Sequence, residues 1–502
     1  SRMMDFVEGD PAAILLIEFE GESEEEVTSK LDRIQKQFAK RGLGYATRRL
    51  VSPEEQEKVW AVRKAGLGLM MNTPGALKPL PFVEDTAVPT DALPEYVKRF
   101  EEIVRSHKTT AGFYGHASVG CLHIRPLIDL KLQDGVDTMV SIASDVSDLV
   151  LEYGGAMSGE HGDGLVRSVW IEKMFGRKIY EAFRQVKQAF DPDGIMNPGK
   201  IVDGPLMTEN LRTGPGYSSL DIDTGLAFAA EGGFAAALEM CNGQGACRKV
   251  TSGTMCPSYM VTRDEEHTTR ARANALRAAM TGRLPVDSLT SRRLYDVLDL
   301  CLECKGCRGE CPSNVDVAKM KYEFLDRYHK THGFPIRNRL FGNLPGLNRM
   351  GAFFAPLSNW VLRSPTIKEM LEEYVGIDHR RELPSFSSQT FRQWFRSRGG
   401  SPFTPETKGQ VVLFADTFTD YNYPELGKAA TSVLEKLGYQ VVVPDTKCCG
   451  RPLLSAGMID KARRNAQANV EILRPYVEAG AKVVGIEPSC ILSFQDEYVD
   501  LL

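Results

Sequence analysis

The stretch Cys301-Leu302-Glu303-Cys304-Lys305-Gly306-Cys307-Arg308-Gly309-Glu310-Cys311-Pro312 has the spacing C-x2-C-x2-C-x3-C-P. At this spacing three thiolates wrap one face of an iron–sulfur cubane, and the fourth cysteine, before proline, turns away to serve another cluster. A structural zinc site is the competing use of closely spaced cysteines. The signal favours a [4Fe–4S] cluster held by a short loop between helices. Upstream lie Cys241-Asn242-Gly243-Gln244-Gly245-Ala246-Cys247 and Cys256-Pro257, with Gln244 where a second cysteine is expected. If the cysteine before each proline crosses over, Cys256, Cys301, Cys304 and Cys307 complete one cluster. Cys241, Cys247 and Cys311 are then one thiolate short. They leave open a [3Fe–4S] centre, a cluster with a non-cysteine ligand, or an empty site.

The rest of the chain frames this block. Of eleven cysteines, only Cys121 precedes Cys241, and Cys448, Cys449 and Cys490 follow Cys311. In a chain without a secretory pattern such cysteines read as metal ligands or redox groups rather than disulfides. The start, Ser1-Arg2-Met3-Met4-Asp5, lacks the basic-then-apolar order of a signal peptide. No apolar run reaches the ~18 residues that span a bilayer. The expected location is cytoplasmic, with peripheral attachment to an inner membrane left open. A net charge of −5 offers no basic footprint for nucleic acid.

At about 100–200 residues per domain, 502 residues hold roughly three to four domains. Residues 1–203 mix strands and helices, as an α+β domain with an antiparallel sheet does. Strands are expected at Ala12–Phe19, Phe82–Val88 and twice within Gly112–Arg125. Helices are expected at Glu24–Lys40, Pro53–Met71, Asp91–Ser106, Val136–Glu152 and Gly176–Phe190, with Ser52 capping the second before Pro53. Residues 204–226 are Gly-, Pro- and Ser-rich and read as a linker. The cysteine-dense block at 227–330 is helical between its loops. Residues 331–408 read as an irregular connector with short helices. From 409 to 502, strand and helix alternate, as in an α/β unit. There Cys448-Cys449-Gly450 and Cys490 form a possible redox or cluster site, short of a full ligand set. The fold class is thus multidomain α+β: antiparallel-sheet domain, helical ferredoxin-like domain, then α/β Cys-Cys-Gly domain.

A second constellation lies in the first domain. Gly115-His116 and His123 flank a glycine at 120, and Ser158-Gly159-Glu160-His161-Gly162 sets an acid and an imidazole on a glycine-flanked loop. Residues seven apart in one straight strand face opposite ways, so a turn near Gly120 is needed to bring both rings together. Two histidines and a carboxylate can hold a divalent ion with open positions, and His161 beside them can act as a base. Arg63 and Lys78 are candidate cations for a carboxylate substrate.

These motifs carry a resemblance. Trp60-Ala61-Val62-Arg63, Phe82-Val83-Glu84-Asp85-Thr86-Ala87-Val88-Pro89, the paired-histidine turn, Ser158-Gly159-Glu160-His161-Gly162 and Asp191-Pro192-Asp193-Gly194-Ile195-Met196-Asn197-Pro198-Gly199-Lys200 resemble the C-terminal substrate domain of FAD-linked 2-hydroxy-acid dehydrogenases of the vanillyl-alcohol oxidase type. In domain order the whole chain resembles fused bacterial FAD/iron–sulfur D-2-hydroxyglutarate dehydrogenases. The resemblance implies oxidation of a D-2-hydroxy acid, D-2-hydroxyglutarate favoured and D-lactate or glycolate possible, with electrons passing from FAD to a [4Fe–4S] cluster and on to a quinone or an electron-transfer protein. It implies His116, His123 and Glu160 as ligands of a divalent ion (Zn, Mn or Fe), and His161 as catalytic base. Arg63 and Lys78 would hold the substrate carboxylate, with Arg125 added here for a second carboxylate. Glu84, Asn197 and Lys200 would lie towards the flavin.

The sequence departs from that pattern at Ser118, Val119 and Cys121, where metal-binding members usually carry Gly, Asp and Asn. No strand–GxGxxG–helix supplies FAD binding, so a separate FAD-binding part is expected, making the chain a piece of a longer enzyme. A homo-oligomer is left open. The competing reading is a non-catalytic iron–sulfur electron-transfer subunit of a larger dehydrogenase or heterodisulfide-reductase-like complex, for which residues 1–203 would be superfluous.

Overall fold

The computed structural model describes residues 5–73, 75–402, 405 and 407–502. These form two compact units, residues 5–72 and 73–502. In the first, helix α1 (Glu24–Arg41) starts at Ser23, whose hydroxyl accepts the Glu26 amide, and stops at Gly42 in the left-handed region. Both are ordinary helix boundary signals. Helix α2 (Pro53–Met71) begins at the proline, as the sequence indicates. The strand expected at Ala12–Phe19 is not formed: the segment carries no assigned element, and Ile14 to Ile17 are exposed. Alternation and apolar content suggest a strand but say nothing of whether a partner strand lies beside it.

The second unit opens with a small antiparallel sheet: β1 (Lys78–Pro79), β2 (Thr86–Ala87), β3 (Ala111–His116) and β4 (Cys121–Ile128), all paired to β4. Helices α3 (Leu93–Ser106) and α4 (Gln133–Glu152) cover one face. Strand β4 explains the arrangement, because successive side chains point to opposite faces. Leu122, Ile124 and Ile128 enter the core with Tyr96 and Phe100 of α3 and Met139, Ile142 and Val146 of α4. Cys121, His123 and Arg125 are left on the other face. The strand expected at Phe82–Val88 shrinks to Thr86–Ala87, because Asp85 sits at φ 77°, a left-handed conformation that interrupts a strand. Helices α5 (Ile171–Phe175) and α6 (Arg177–Phe190) finish this part.

Residues 204–226 contain no helix or strand, yet Leu220, Ile222 and Leu226 pack into the next core. That core is helical: α7 (Phe234–Glu239), α8 (Pro257–Thr262), α9 (Thr269–Met280), α10 (Arg292–Asp299), α11 (Gly306–Glu310) and α12 (Val317–His332). The connector is more ordered than expected. It carries α13 (Ile336–Gly342), α14 (Leu344–Phe353), α15 (Ala355–Arg363), α16 (Pro365–Val375) and α17 (Phe391–Ser397). Prolines sit in the first turns of α14, α15 and α16, where the missing N–H costs nothing. The same prolines make the sequence read as broken.

The last part is a parallel sheet with β5 (Gln410–Phe414) between β6 (Gln440–Val442) and β7 (Lys482–Gly485). Its helices are α18 (Thr417–Tyr421), α19 (Pro424–Lys436), α20 (Arg451–Ser455), α21 (Ile459–Glu478), α22 (Pro488–Leu492) and α23 (Glu497–Leu501). Leu453, Leu454, Ile459, Ala462 and Tyr498 from this part share one hydrophobic core with α9, α10 and α12. Gly457 makes the close fit possible: at φ +71° a β-carbon there would stand 2.8 Å from the Leu325 backbone. Among the described residues no helix is long and apolar enough to cross a membrane.

Candidate functional site

The β3–β4 hairpin answers the seven-residue spacing. A short turn at Ala117–Val119 closed by Gly120 reverses the chain, and the register pairs His116 with Cys121 and Tyr114 with His123. Directly paired residues share a face, so both imidazoles stand on the face opposite the helices. Gly120 lies at φ +69°, and a β-carbon there would be 1.9 Å from the Val88 carbonyl oxygen, so only glycine allows this turn to close.

The third group comes from the loop at 158–161, which is tied down by one buried carboxylate. Asp85 is fully buried and accepts hydrogen bonds from the Ser158 hydroxyl (2.6 Å), the His161 amide (2.7 Å), the Glu160 amide (3.1 Å) and the Cys121 thiol (3.3 Å). Burial alone would raise its pKa, but these donors outweigh it and hold the carboxyl down at about 2. Arg167, also buried, donates to the Glu84 carbonyl and to that of Gly162 (2.5 Å), fixing the far end of the loop. The sequence drew attention to the Glu84–Asp85 motif but gave Asp85 no task. Two acids after the apolar pair Phe82-Val83 were the available signal.

So held, the Glu160 carboxylate becomes a meeting point. Its Oε1 lies 3.4 Å from His116 Nε2, 3.1 Å from His123 Nε2 and 3.2 Å from His161 Nε2. The rings of His123 and His161 stack at 4.7 Å. Burial, with the neighbouring His161, lowers the pKa of His123 and keeps it in the neutral, ligating form. His161 Nδ1 faces Glu84 Oε1 at 3.4 Å, and Glu84 is itself ion-paired with buried Arg125. Two imidazoles and a carboxylate oxygen converging within hydrogen-bond range suit a divalent cation. Among the described residues, Asp85, Cys121, His123 and Glu160 bring four ligand atoms within 4.8 Å of one another, and Glu84, His123 and His161 bring three. His116, more exposed, lies outside both sets.

The other expected groups are placed as follows. Arg63 is on α2, in the first unit. Lys78 pairs in register with Ile128, at the opposite end of β4 from Cys121. Its ammonium donates to the Thr73 carbonyl and lies 3.9 Å from the Met240 sulfur, with its pKa lowered by burial. Arg125 Nε donates to the Tyr114 hydroxyl (3.2 Å) beside its pair with Glu84. Asn197, at φ 51°, accepts from Lys200 Nζ (2.6 Å). Next to it Ile195 and Met196 are exposed.

In the helical part, a small cavity of about 20 Å³ is lined by Cys256, Cys301, Cys304 and Cys307, among others. The crossing rule groups the same four. The loop turns tightly because Glu303 and Lys305 both take left-handed backbone, at φ 56° and 57°. Lys321 Nζ anchors it on the Cys301 carbonyl (2.8 Å). Burial raises the pKa of Cys301 and of Cys307. The fully buried Arg272 points its guanidinium at the Cys256 sulfur (3.4 Å), the Ser258 hydroxyl (3.0 Å) and the Val297 carbonyl (3.0 Å). A buried cation needs a negative partner, and a thiolate-bound cluster supplies one. A single zinc ion with Zn–S near 2.3 Å would draw its sulfurs to within about 4.6 Å of each other. Among the described residues, sets of three or more ligand atoms that close include only one cysteine, Cys121.

Cys241, Cys247 and Cys311 border the same core, the first two buried. Each of Cys247 and Cys311 is electrostatically coupled to Cys241. Gln244 is exposed and accepts from the Asn242 side chain (2.9 Å).

Comparison with known proteins agrees with this division. Residues 2–201 match the C-terminal domain of FAD linked oxidases, 237–315 a 4Fe-4S dicluster domain, and 413–495 a cysteine-rich domain. The chain joins these three domain types in that order. It is 30% identical to D-2-hydroxyglutarate dehydrogenase of Pseudomonas putida, over 97% of this chain and 52% of that protein. It is 28% identical to the Escherichia coli protein of the same name, over 88% of this chain and 47% of that one. One subunit of the E. coli anaerobic glycerol-3-phosphate dehydrogenase is 35% identical over 38% of this chain and 48% of its own length. The chain spans about half the length of the curated dehydrogenases it matches. The imidazole group thus lies in the FAD linked oxidase domain, the four-cysteine cavity in the dicluster domain, and Cys448, Cys449 and Cys490 in the cysteine-rich domain.

Proposed function

We propose that this chain is the substrate-oxidising and electron-carrying portion of an FAD- and iron–sulfur-dependent dehydrogenase for a D-2-hydroxy acid, D-2-hydroxyglutarate being favoured over D-lactate and glycolate. The observation that carries the reading is the convergence of three imidazole nitrogens on Glu160 Oε1 in an FAD linked oxidase domain. Similarity to D-2-hydroxyglutarate dehydrogenases over most of the chain supports the substrate class.

His161 takes the hydroxyl proton at Nε2. With Nδ1 protonated towards Glu84 Oε1, 3.4 Å away, Nε2 carries the free lone pair. Glu84 is the positioning residue in this scheme, and its pair with Arg125 keeps the carboxylate aimed. His116, His123 and Glu160 would hold the divalent ion beside the substrate hydroxyl. Arg63 lies in the other unit and Lys78 at the far end of β4 from the imidazole group, so neither is given a contact with the substrate in this scheme. Arg125, buried and committed to Glu84 and the Tyr114 hydroxyl, serves to hold Glu84, and Asn197 and Lys200 lie on the flavin side. When bound, FAD accepts the Cα hydride, the ion polarises the hydroxyl, and a [4Fe–4S] cluster on Cys256, Cys301, Cys304 and Cys307 carries electrons singly to a quinone or an electron-transfer protein.

The test is reduction of the FAD-loaded enzyme by D-2-hydroxyglutarate, D-lactate and glycolate, followed in a stopped-flow instrument. His161→Ala is expected to slow reduction about 100-fold or more, the lower range for a lost general base, with FAD and iron content unchanged. Unaltered reduction in that variant would remove His161 from the reaction.

A further inference from the structure

Three cysteines of the last domain have no part in substrate oxidation, and their geometry is specific. The Cys449 thiol lies 3.2 Å from the Cys490 sulfur and donates to it. Cys449 is buried, whereas Cys490 is partly exposed. The backbone of the pair is clamped from behind by α21. Asn469, fully buried, accepts the Lys447 amide (2.7 Å) and donates to the Lys447 carbonyl (3.2 Å), and Asn465 donates to the Cys448 carbonyl (3.3 Å).

The site is tied to the cluster-side loop. Arg451, two residues after Cys449, donates to the Glu303 carbonyl (3.3 Å) and pairs with Glu497. Lys305, between Cys304 and Cys307, reaches Glu497 at 2.9 Å and also contacts Asp496.

We propose that Cys449 and Cys490 form a reversible dithiol–disulfide centre that exchanges with an external disulfide. Two sulfurs at 3.2 Å need to close by only about 1 Å to reach a bond of about 2.05 Å. Cys490 is the entry point because solvent reaches it. Its thiolate attacks one sulfur of the external disulfide, whose S–S bond breaks, releasing one thiolate and leaving a mixed disulfide on Cys490. Cys449 then attacks the Cys490 sulfur, the Cys449–Cys490 bond forms, and the second external thiolate leaves. The two protons of the cysteines end on the two released thiolates, so the cysteines are oxidised by two electrons and the external disulfide is reduced by two. A dithiol runs the sequence backwards. This centre requires neither substrate oxidation nor an occupied cluster.

The test uses the full chain under argon in mixtures of oxidised and reduced glutathione, quenched with acid, alkylated and analysed by peptide mass. The expected result is a Cys449–Cys490 crosslink whose yield rises and falls reversibly with the glutathione ratio. Cys449→Ser should stop the sequence at a glutathione adduct on Cys490, and Cys490→Ser should abolish both crosslink and adduct at this site. A crosslink between Cys448 and Cys449 instead, or no crosslink at any ratio with Cys449→Ser carrying no adduct, would overturn the proposal. So would a loss of iron and sulfide from anaerobic protein on substituting Cys449 or Cys490, since the thiols would then be cluster ligands.

Discussion

Asp85→Asn tests how the imidazole group is assembled. Asp85 holds the 158–161 loop through the Ser158 hydroxyl and the Glu160 and His161 amides, and those amides position Glu160 and His161. The drop of its pKa from 3.8 to about 2 corresponds, at about 1.36 kcal/mol per unit, to about 2 kcal/mol of support for the ionised form. Hydrogen bonds to a charged acceptor are worth about 1.5–3 kcal/mol each, which gives the same scale. Asparagine keeps the shape, removes the charge and turns an NH2 towards groups that are all donors. Local opening of the 158–161 loop should become easier by about 2–3 kcal/mol, so amide exchange at Glu160 and His161 should accelerate about 30- to 150-fold. Amides of α12, remote in sequence and buried in another core, serve as the control and should not change. Ser158→Ala removes one neutral donor and should accelerate the same amides about tenfold. Unchanged exchange at His161 in Asp85→Asn, with the control intact, would refute the claim that this carboxylate holds the loop.

Two further outcomes follow from the iron–sulfur side. Arg272→Gln removes the buried guanidinium beside Cys256; at about 1.5–3 kcal/mol for the lost charged hydrogen bond, the bound cluster's one-electron potential should fall by about 60–130 mV, read by an EPR-monitored redox titration. The clamp between the last domain and the cluster loop should fail in acid. Burial raises the Glu497 pKa, but Lys305 and Arg451 together lower it below 4.5. Its stabilising contribution is therefore fully present above about pH 4.5 and is lost as pH falls through the lowered value, visible as faster amide exchange in 303–308 at low pH and not in Glu497→Gln.

The sequence carried the layout where local rules decide it. The proline after Ser52 fixed the start of α2, and the cysteine spacing with the crossing rule grouped the four residues that line the cavity. It failed where a long-range partner decides. Ala12–Phe19 has the composition of a strand and forms none. Phe82–Val88 is cut by one left-handed aspartate whose hydrogen bonds reach residues more than seventy positions away. Arg125 was read as an open cation, but it packs against Glu84, and that neighbour follows only from the hairpin register and the Glu84–Asp85 bend. The 331–408 segment looked irregular because its prolines begin helices rather than end them.

The most direct measurement is iron and acid-labile sulfide per chain, with the EPR spectrum after reduction, in anaerobically prepared protein and in Cys256→Ser. The account predicts about four iron and four sulfide at the cavity of Cys256, Cys301, Cys304 and Cys307, and loss or conversion of that signal in Cys256→Ser. Protein free of iron and sulfide, or a Cys256→Ser variant with an unchanged spectrum, would contradict it.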